Sequence, residues 1–367
     1  MNRPVRWLLM AGHVPPEGRG GGIVRYTVEL ARALHRRDDV ELHLVTSPQA
    51  AGPLGELTGA GDRVVAVPAV PDPLLPLYER YLLGRTLGRR YDVVHGVKHL
   101  LPRGVAARTA LTVHDMLLYD RPADFPPAKR HLLRRPYAAS IRQADALVCV
   151  SAATLARLAH REPGSAARGT VVPLATGTRL LEAAPVSVEA VAGRPFALVV
   201  GDPSPRKNLG VVVSAWERVV RQRPDAVLVL VGPPAWGATS YGPHFPALVA
   251  AGSVVPLVGV DDGTLRWCYE HAAVVLAPSL AEGFGLPAVE ALDLGAPLVT
   301  SLDPALVEVS GDAARHLPAG DVAAWAEAAV THLDDRGAHP SSRRAPRTWD
   351  DVAAETVAAV TGGVSRR

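Results

Sequence analysis

Residues 276–300, LAPSLAEGFGLPAVEALDLGAPLVT, constrain the fold of this chain more than any other stretch. The apolar run 272–276 has strand length and is stopped by Pro278 and Ser279. Glu282-Gly283-Phe284-Gly285 then makes a tight turn. Pro287 stands where the first helical residue belongs, because its fixed φ suits that place and its missing N–H costs nothing there. Ala288, Val289, Ala291, Leu292 and Leu294 supply an apolar side, Gly295 ends the helix, and 297–299 begins another apolar run. Strand, glycine turn, helix and strand in this order describe one unit of a parallel sheet. The turn carries a carboxylate, Glu282, and the helix a second, Glu290. A helix N-terminus offers free N–H groups and a partial positive charge, so it suits an anion such as phosphate. The same shape also serves as plain scaffold.

The pattern recurs along the chain. Short, largely apolar runs lie at 5–10, 40–45, 64–67, 91–95, 110–113 and 146–150, and again at 196–200, 227–231 and 254–258. Between the first two, residues 23–36 place Val24, Val28, Ala31 and Leu34 at helical spacing, and Ser151 suits the cap of the helix after 150. Strands alternating with helices predict a doubly wound parallel sheet. The pattern lapses between about 180 and 195 and then restarts, so two α/β domains are expected: 1–180, a linker 181–195, and 196–345. Residues 339–347 read as a surface link, and a last helix follows, capped by Thr348 or Asp350.

A length of 367 residues fits two domains. The net charge of +3 is too small to imply nucleic-acid binding, so no nucleic-acid partner is expected. Cys149 and Cys268 lie in apolar surroundings without metal-ligand spacing and read as buried thiols. No run approaches the roughly 18 apolar residues of a membrane span. The start, MNRPVRWLLMAGHVPP, has only a short apolar stretch and reads as a first strand, not a signal peptide. The expected location is cytoplasmic.

In such sheets ligands bind at the carboxyl ends of the strands. After the first strand comes Gly18-Arg19-Gly20-Gly21-Gly22, which lets backbone approach a ligand but lacks the spacing of a dinucleotide fingerprint. After 110–113 come His114 and Asp115; a histidine there can donate to a phosphate or a sugar hydroxyl, or be structural. After 196–200 comes Gly201-Asp202-Pro203-Ser204-Pro205-Arg206-Lys207-Asn208, two cations on a turn before a helix carrying Val211, Val212, Ala215, Trp216 and Val219. Arg206 and Lys207 are placed to neutralise a diphosphate. Asp261-Asp262 reads as a helix cap, and no metal site and no cofactor are expected.

The motif EGFGLPAVEALDLGAPLVTS closely resembles the donor-binding motif of the retaining family-4 glycosyltransferases of GT-B fold. GGIVRYTVELARAL, TVHDMLLYDRPADFPPAKR, VCVSAATLARL, VVGDPSPRKNLGVVVSAW and TWDDVAAETVAAV follow in that family's order and cover nearly the whole chain. The resemblance implies two Rossmann-like domains facing across a cleft, with residues 346–367 crossing back onto the first. It implies a first domain that receives the acceptor and a second that binds a nucleotide-sugar donor. Arg206 and Lys207 correspond to the diphosphate-binding pair, Glu282 to the carboxylate that holds donor-sugar hydroxyls, and Glu290 to the ribose-binding carboxylate. The backbone of Gly283, Phe284, Gly285 and Leu286 faces sugar and phosphate, with Gly201 before the basic turn. Gly21 and Gly22 correspond to the glycine loop near the phosphates, and His114 to the histidine near the transferred sugar. Many relatives have an arginine directly after the glycine of the second-domain strand; here it is Asp202, so either Arg206 carries more of the load or the site is weaker.

The implied activity is transfer of a hexose to a hydroxyl acceptor (a glycan, a lipid-linked or a small-molecule acceptor), with GDP-mannose as the first donor expected and UDP- or dTDP-sugars next. No carboxylate pair has clear general-acid and nucleophile roles, so same-face attack is expected, the departing phosphate oxygen taking the acceptor proton. The rival readings are a GT-B epimerase of nucleotide sugars and a non-catalytic nucleotide-sugar binding module. Two basic stretches, 80–90 and 129–142, alternate leucine with arginine. A basic amphipathic helix can rest on anionic lipid, which would give peripheral contact with the inner face of the membrane; a solvated helix face has the same pattern.

Overall fold

The computed structural model describes residues 3–18, 20–61, 63–68, 70–71, 74–87, 89–191, 193–233, 241–335 and 347–362, the side chain of Lys129 excepted. The chain divides into two compact units, Met1–Gly177 with Arg347–Arg367, and Thr178–Pro346. Arg19 and most of the 339–347 link lie outside the described residues.

In the first unit the described strands are β1 (Val5–Met10), β2 (Val40–Thr46), β3 (Val64–Ala66), β4 (Val93–Gly96), β5 (Arg108–Val113), β6 (Ala146–Cys149) and β7 (Gly169–Val171). They form one sheet in the order β3-β2-β1-β4-β5-β6-β7, with every described pair parallel. Trp7, Leu8 and Leu9 of β1 are fully buried, as expected of a central strand covered on both faces. In the second unit β8 (Phe196–Val200), β9 (Val227–Gly232), β10 (Val254–Val258), β11 (Val274–Ala277), β12 (Leu298–Ser301) and β13 (Arg315–Leu317) run parallel in the order β10-β9-β8-β11-β12-β13. Trp216 and Trp325, both fully buried, fill the core between its helices and sheet. The strand order therefore reverses between β1 and β4 in one sheet, and between β8 and β11 in the other. Those reversals are where a doubly wound sheet leaves a crevice for ligand.

Two expectations need correction. Residues 181–195 are not a free linker but part of the second unit. Helix Thr178–Glu182 runs into them, Arg266 donates to the carbonyls of Leu181 (2.5 Å) and Ala183 (3.1 Å), and Val188 and Val191 are buried. The basic stretch 80–90 is not one amphipathic helix. It is shared by two short helices, Leu75–Tyr81 and Leu83–Leu87, and Arg80 is buried, donating to the Leu101 carbonyl and to Gln143 at 2.6 Å each. A buried guanidinium so engaged does not reach a lipid surface.

Cys149 and Cys268 are buried free thiols, and burial pushes each pKa up to about 12. Helix Trp349–Thr361 packs within the first unit. The Trp349 indole N–H donates to the Thr176 carbonyl at 3.0 Å, and its ring meets Tyr26 edge-on at 5.8 Å. Its N-terminus is a capping box in which Thr348 and Asp351 exchange bonds. No described helix is long and apolar enough to cross a membrane.

Candidate functional site

At the second unit's strand reversal, the loop after β8 meets the loop after β11. Pro205–Lys207 forms one 3-10 turn, and Asn208 follows in the left-handed region at φ 55°, ψ 35°, which asparagine tolerates better than most residues. Its side-chain amide donates to the carbonyls of Pro278 (3.1 Å) and Ala319 (2.8 Å), and the Leu280 N–H donates to the Arg206 carbonyl at 2.7 Å. These bonds fasten the basic turn to the β11 loop. Gly201 gives the lysine its path: a Cβ there would stand 3.3 Å from Cδ and Cε of Lys207.

The result is a closed charge cluster. Lys207 Nζ lies 2.5 Å from Glu282 Oε1, Arg206 donates to Oε2 at 3.0 Å, and Ser279 Oγ donates to Oε1 at 2.7 Å. Burial alone would raise the Glu282 pKa. The charges of Lys207 and Arg206, with the bonds from Lys207 and Ser279, outweigh it and hold the carboxyl at about 2. Lys207 is buried, while a quarter of the Arg206 side chain remains exposed, so Arg206 presents the accessible edge. The void beside them, lined by Lys207, Ser279, Glu282 and Gly285, is only about 10 Å³, barely room for one water.

Gly285, at φ 98°, opens helix Leu286–Asp293, with Pro287 in its second position. No described side chain caps this terminus and no acid lies in its first turn, which leaves its N–H dipoles to an anion. Phe284 is buried and Gly283 half-buried behind them. Glu290 lies further along the same helix. It is 1% exposed and accepts from the Tyr269 hydroxyl at 2.8 Å, away from the basic turn's hydrogen bonds. The structure thus brings together Gly201, Arg206, Lys207, Glu282 and the Gly283–Leu286 segment.

Asp202 enters this cluster from the other side, pairing with Arg206 at 3.1 Å. The two acids balance the two cations, so any attraction for an anion comes from orientation and from the helix terminus. Asp202→Asn is expected to tighten nucleoside diphosphate binding about two- to fivefold, the scale of a partly exposed ion pair. Unchanged or weaker binding in calorimetry would show that Asp202 does not compete for Arg206.

The first unit has its own cluster at the β1/β4 reversal. His114, just after β5, donates from Nε2 to the Val97 carbonyl at 2.9 Å and meets the Tyr26 ring edge-on at 4.7 Å. A carbonyl only accepts, so Nε2 carries the proton. Burial lowers the pKa to about 4 against the pull of Asp115, which leaves a neutral ring at pH 7 with Nδ1 as an acceptor. Gly21 and Gly22 are exposed at the start of helix Gly22–His35, the helix that carries Tyr26; no described side chain caps it.

Four residues missed from the sequence join this cluster. His13 is held neutral, its pKa lowered to about 3 by burial and then by the charges of Lys98, His114 and His99. Glu79 is pushed up to about 7 by burial against the pull of Lys98, and its carboxylate occupies the space a Cβ on Gly12 would need. His13 follows β1, and Lys98 and His99 follow β4, so a search of every strand's carboxyl end would have found those three. Glu79 comes from a short helix beside the sheet, and nothing in its neighbours in sequence marks it.

Comparison with known proteins agrees with this architecture. Residues 194–335 match the model of the glycosyl transferases group 1, and residues 20–180 that of Glycosyltransferase Family 4. An MMP alpha-(1->4)-mannosyltransferase of Mycolicibacterium hassiacum is 30% identical over 311 residues, 76% of this chain and 73% of the relative. O-antigen chain mannosyltransferase B of Escherichia coli is 26% identical over 250 residues, 66% of this chain and 65%, just under two thirds, of the relative's length. A sucrose-phosphate synthase structure from Thermosynechococcus elongatus superposes at a TM-score of 0.68 and 19% identity, over 96% of this chain and 97% of that one. Two Rossmann-like parallel sheets of this order define the GT-B fold class. The chain belongs to the family-4 glycosyltransferases.

Proposed function

We propose that this chain transfers a hexose from a nucleotide diphosphate sugar to a hydroxyl acceptor with retention of anomeric configuration. The observation that carries the reading is the Arg206–Lys207–Glu282 cluster beside the open Leu286 helix terminus, at a strand reversal. Breaking an anomeric bond leaves a diphosphate that gains negative charge. Arg206, Lys207 and the helix N–H groups are fixed in advance toward such charge, which favours the transition state over the bound substrate. Glu282 is fully ionised at pH 7 and engaged by three donors. That makes it a poor nucleophile and a good anchor for the two cations. The acceptor therefore attacks from the face the diphosphate leaves, and its proton passes to the departing phosphate oxygen. The unprotonated Nδ1 of His114 suits a sugar hydroxyl as its donor.

GDP-mannose is the donor this reading favours, because the relatives described above are named mannosyltransferases; UDP- and dTDP-sugars come next. The acceptor is a glycan, a lipid-linked or a small-molecule hydroxyl. Thermal shift against a donor panel, followed by product analysis, tests the proposal. The expected result is a shift with GDP-mannose, diphosphate release that depends on added acceptor, an α-linked product from an α-donor, and the same rate in chelator. An isomerised sugar without acceptor would mark an epimerase, and a shift without product a binding module. Activity lost in chelator and restored by a divalent ion would assign the diphosphate's neutralisation to a metal.

A further inference from the structure

The first unit carries a second strongly positive feature that the transfer reaction does not use. An open groove of about 690 Å³ runs along helix Pro127–Gln143, lined by Arg130, His131, Arg134, Arg135 and Arg142 of that helix and by Tyr119 of the Leu117–Asp120 turn. That volume falls within the range of small-ligand sites. The nearby acids are already committed. Glu162 pairs with Arg142 at 3.0 Å, Asp120 with Arg161 at 2.9 Å, and Asp124 with Arg121 at 2.6 Å. Arg130, Arg134 and Arg135 have no acidic partner among the described residues, so their charge is unbalanced within the groove. Arg134 lies over the Tyr119 ring at 5.3 Å, which fixes a guanidinium that would otherwise sample many rotamers.

We propose that this groove is an anion site for a phosphate-bearing ligand, independent of the donor cluster in the second unit. Three features favour phosphate over a generic anion. Guanidinium forks match phosphate oxygens two at a time, several of them converge on one concavity, and one is pre-positioned on an aromatic face. A flat surface of scattered arginines would offer none of these.

The groove is also joined to the β1/β4 reversal by a chain of ring contacts, one tilted and one edge-on. Tyr119 lies 6.1 Å from Tyr137, and Tyr137 lies 4.9 Å from His99, while the Tyr137 hydroxyl donates to the Asp115 carbonyl at 2.9 Å. A phosphate seated on Arg134 would therefore lie next to the packed layer that includes His99 and the segment after His114.

The phosphate can come from a soluble molecule or from a lipid headgroup, and two arms of one experiment separate them. The probes are inorganic pyrophosphate, titrated calorimetrically into the full chain, and vesicles of phosphatidylglycerol with phosphatidylcholine, compared with phosphatidylcholine alone in cosedimentation. Each is run on the wild type, on the Arg130→Gln/Arg135→Gln double variant, and on Arg221→Gln, an exposed arginine of the second unit. Pyrophosphate can also meet Arg206 and Lys207, so the quantity read is the component the double variant removes. That component is expected to weaken by about tenfold or more for each charge-assisted hydrogen bond removed, with an unchanged melting temperature and no effect of Arg221→Gln. Loss confined to pyrophosphate assigns a soluble phosphate ligand, and loss of vesicle binding assigns a lipid headgroup. Equal binding by wild type and double variant in both arms would overturn the proposal. None of these readouts uses the transfer reaction, so the result stands or falls apart from the proposed activity.

Discussion

Lys207→Met is expected to lower kcat/KM by about 10²–10³ and to destabilise the second unit by about 3–5 kcal/mol. The kinetic part follows from the proposed reaction, in which Lys207 helps neutralise the departing diphosphate. The stability part follows from Glu282. Its carboxylate is buried, and Lys207 is the partner at 2.5 Å, so removing the ammonium takes the nearest cation from a buried charge. The pH dependence has a definite sign. In the wild type the folded-state pKa of Glu282 is depressed to about 2 from 4.5, so the pair's contribution is complete above pH 4.5 and is lost as pH falls toward 2. With Lys207 gone, burial is less opposed, the folded-state pKa rises, and the acid loss moves to higher pH. Denaturant midpoints from pH 3 to 8 check this. A variant with wild-type kcat/KM and an unmoved acid limb would remove Lys207 from both roles.

Gly285→Ala should act without removing any functional atom. The residue sits at φ 98°, and a Cβ there would stand 2.6 Å from Leu306 Cδ2. Left-handed backbone costs a side-chain-bearing residue about 1–2 kcal/mol, and overpacking adds about 1–3 kcal/mol. The second unit's melting transition is therefore expected to fall by roughly 5–15 °C. Relief of the clash also tilts the first turn of helix Leu286–Asp293, so donor affinity should fall with stability. Calorimetry of the unit's transition with nucleotide binding reads both. A loss of stability with unchanged nucleotide affinity would mean that the helix terminus does not touch the ligand.

The central strands were legible because each is a short apolar run closed by a breaker. Of the edge strands, β3 and β10 showed the same apolar run, and the other two did not. β7 is Gly-Thr-Val and β13 is Arg-His-Leu, too short for alternation to show, and Arg315 of β13 is exposed because an edge strand faces water. At the site, residue types and loops could be read, but partners could not. Nothing local says that Glu282 lies on Lys207, with which it shares no neighbourhood in sequence, or that Asp202 occupies part of Arg206. Arg80 shows the same limit from the other side. Its spacing with leucines suggested a surface stripe, while its guanidinium is spent on the Leu101 carbonyl and Gln143.

The helix that carries Trp349 has a bearing on how the molecule is made. The first unit is written in two pieces, with the whole of residues 178–346 threaded between them. The second unit is continuous and can complete itself as it leaves the ribosome, whereas the first waits until residues 347–361 have followed it. Until then, the side of helix Gly22–His35 where Tyr26 meets Trp349 has no cover from helix Trp349–Thr361. A stop codon placed before Trp349 would therefore spare the later-coded unit and cripple the earlier one.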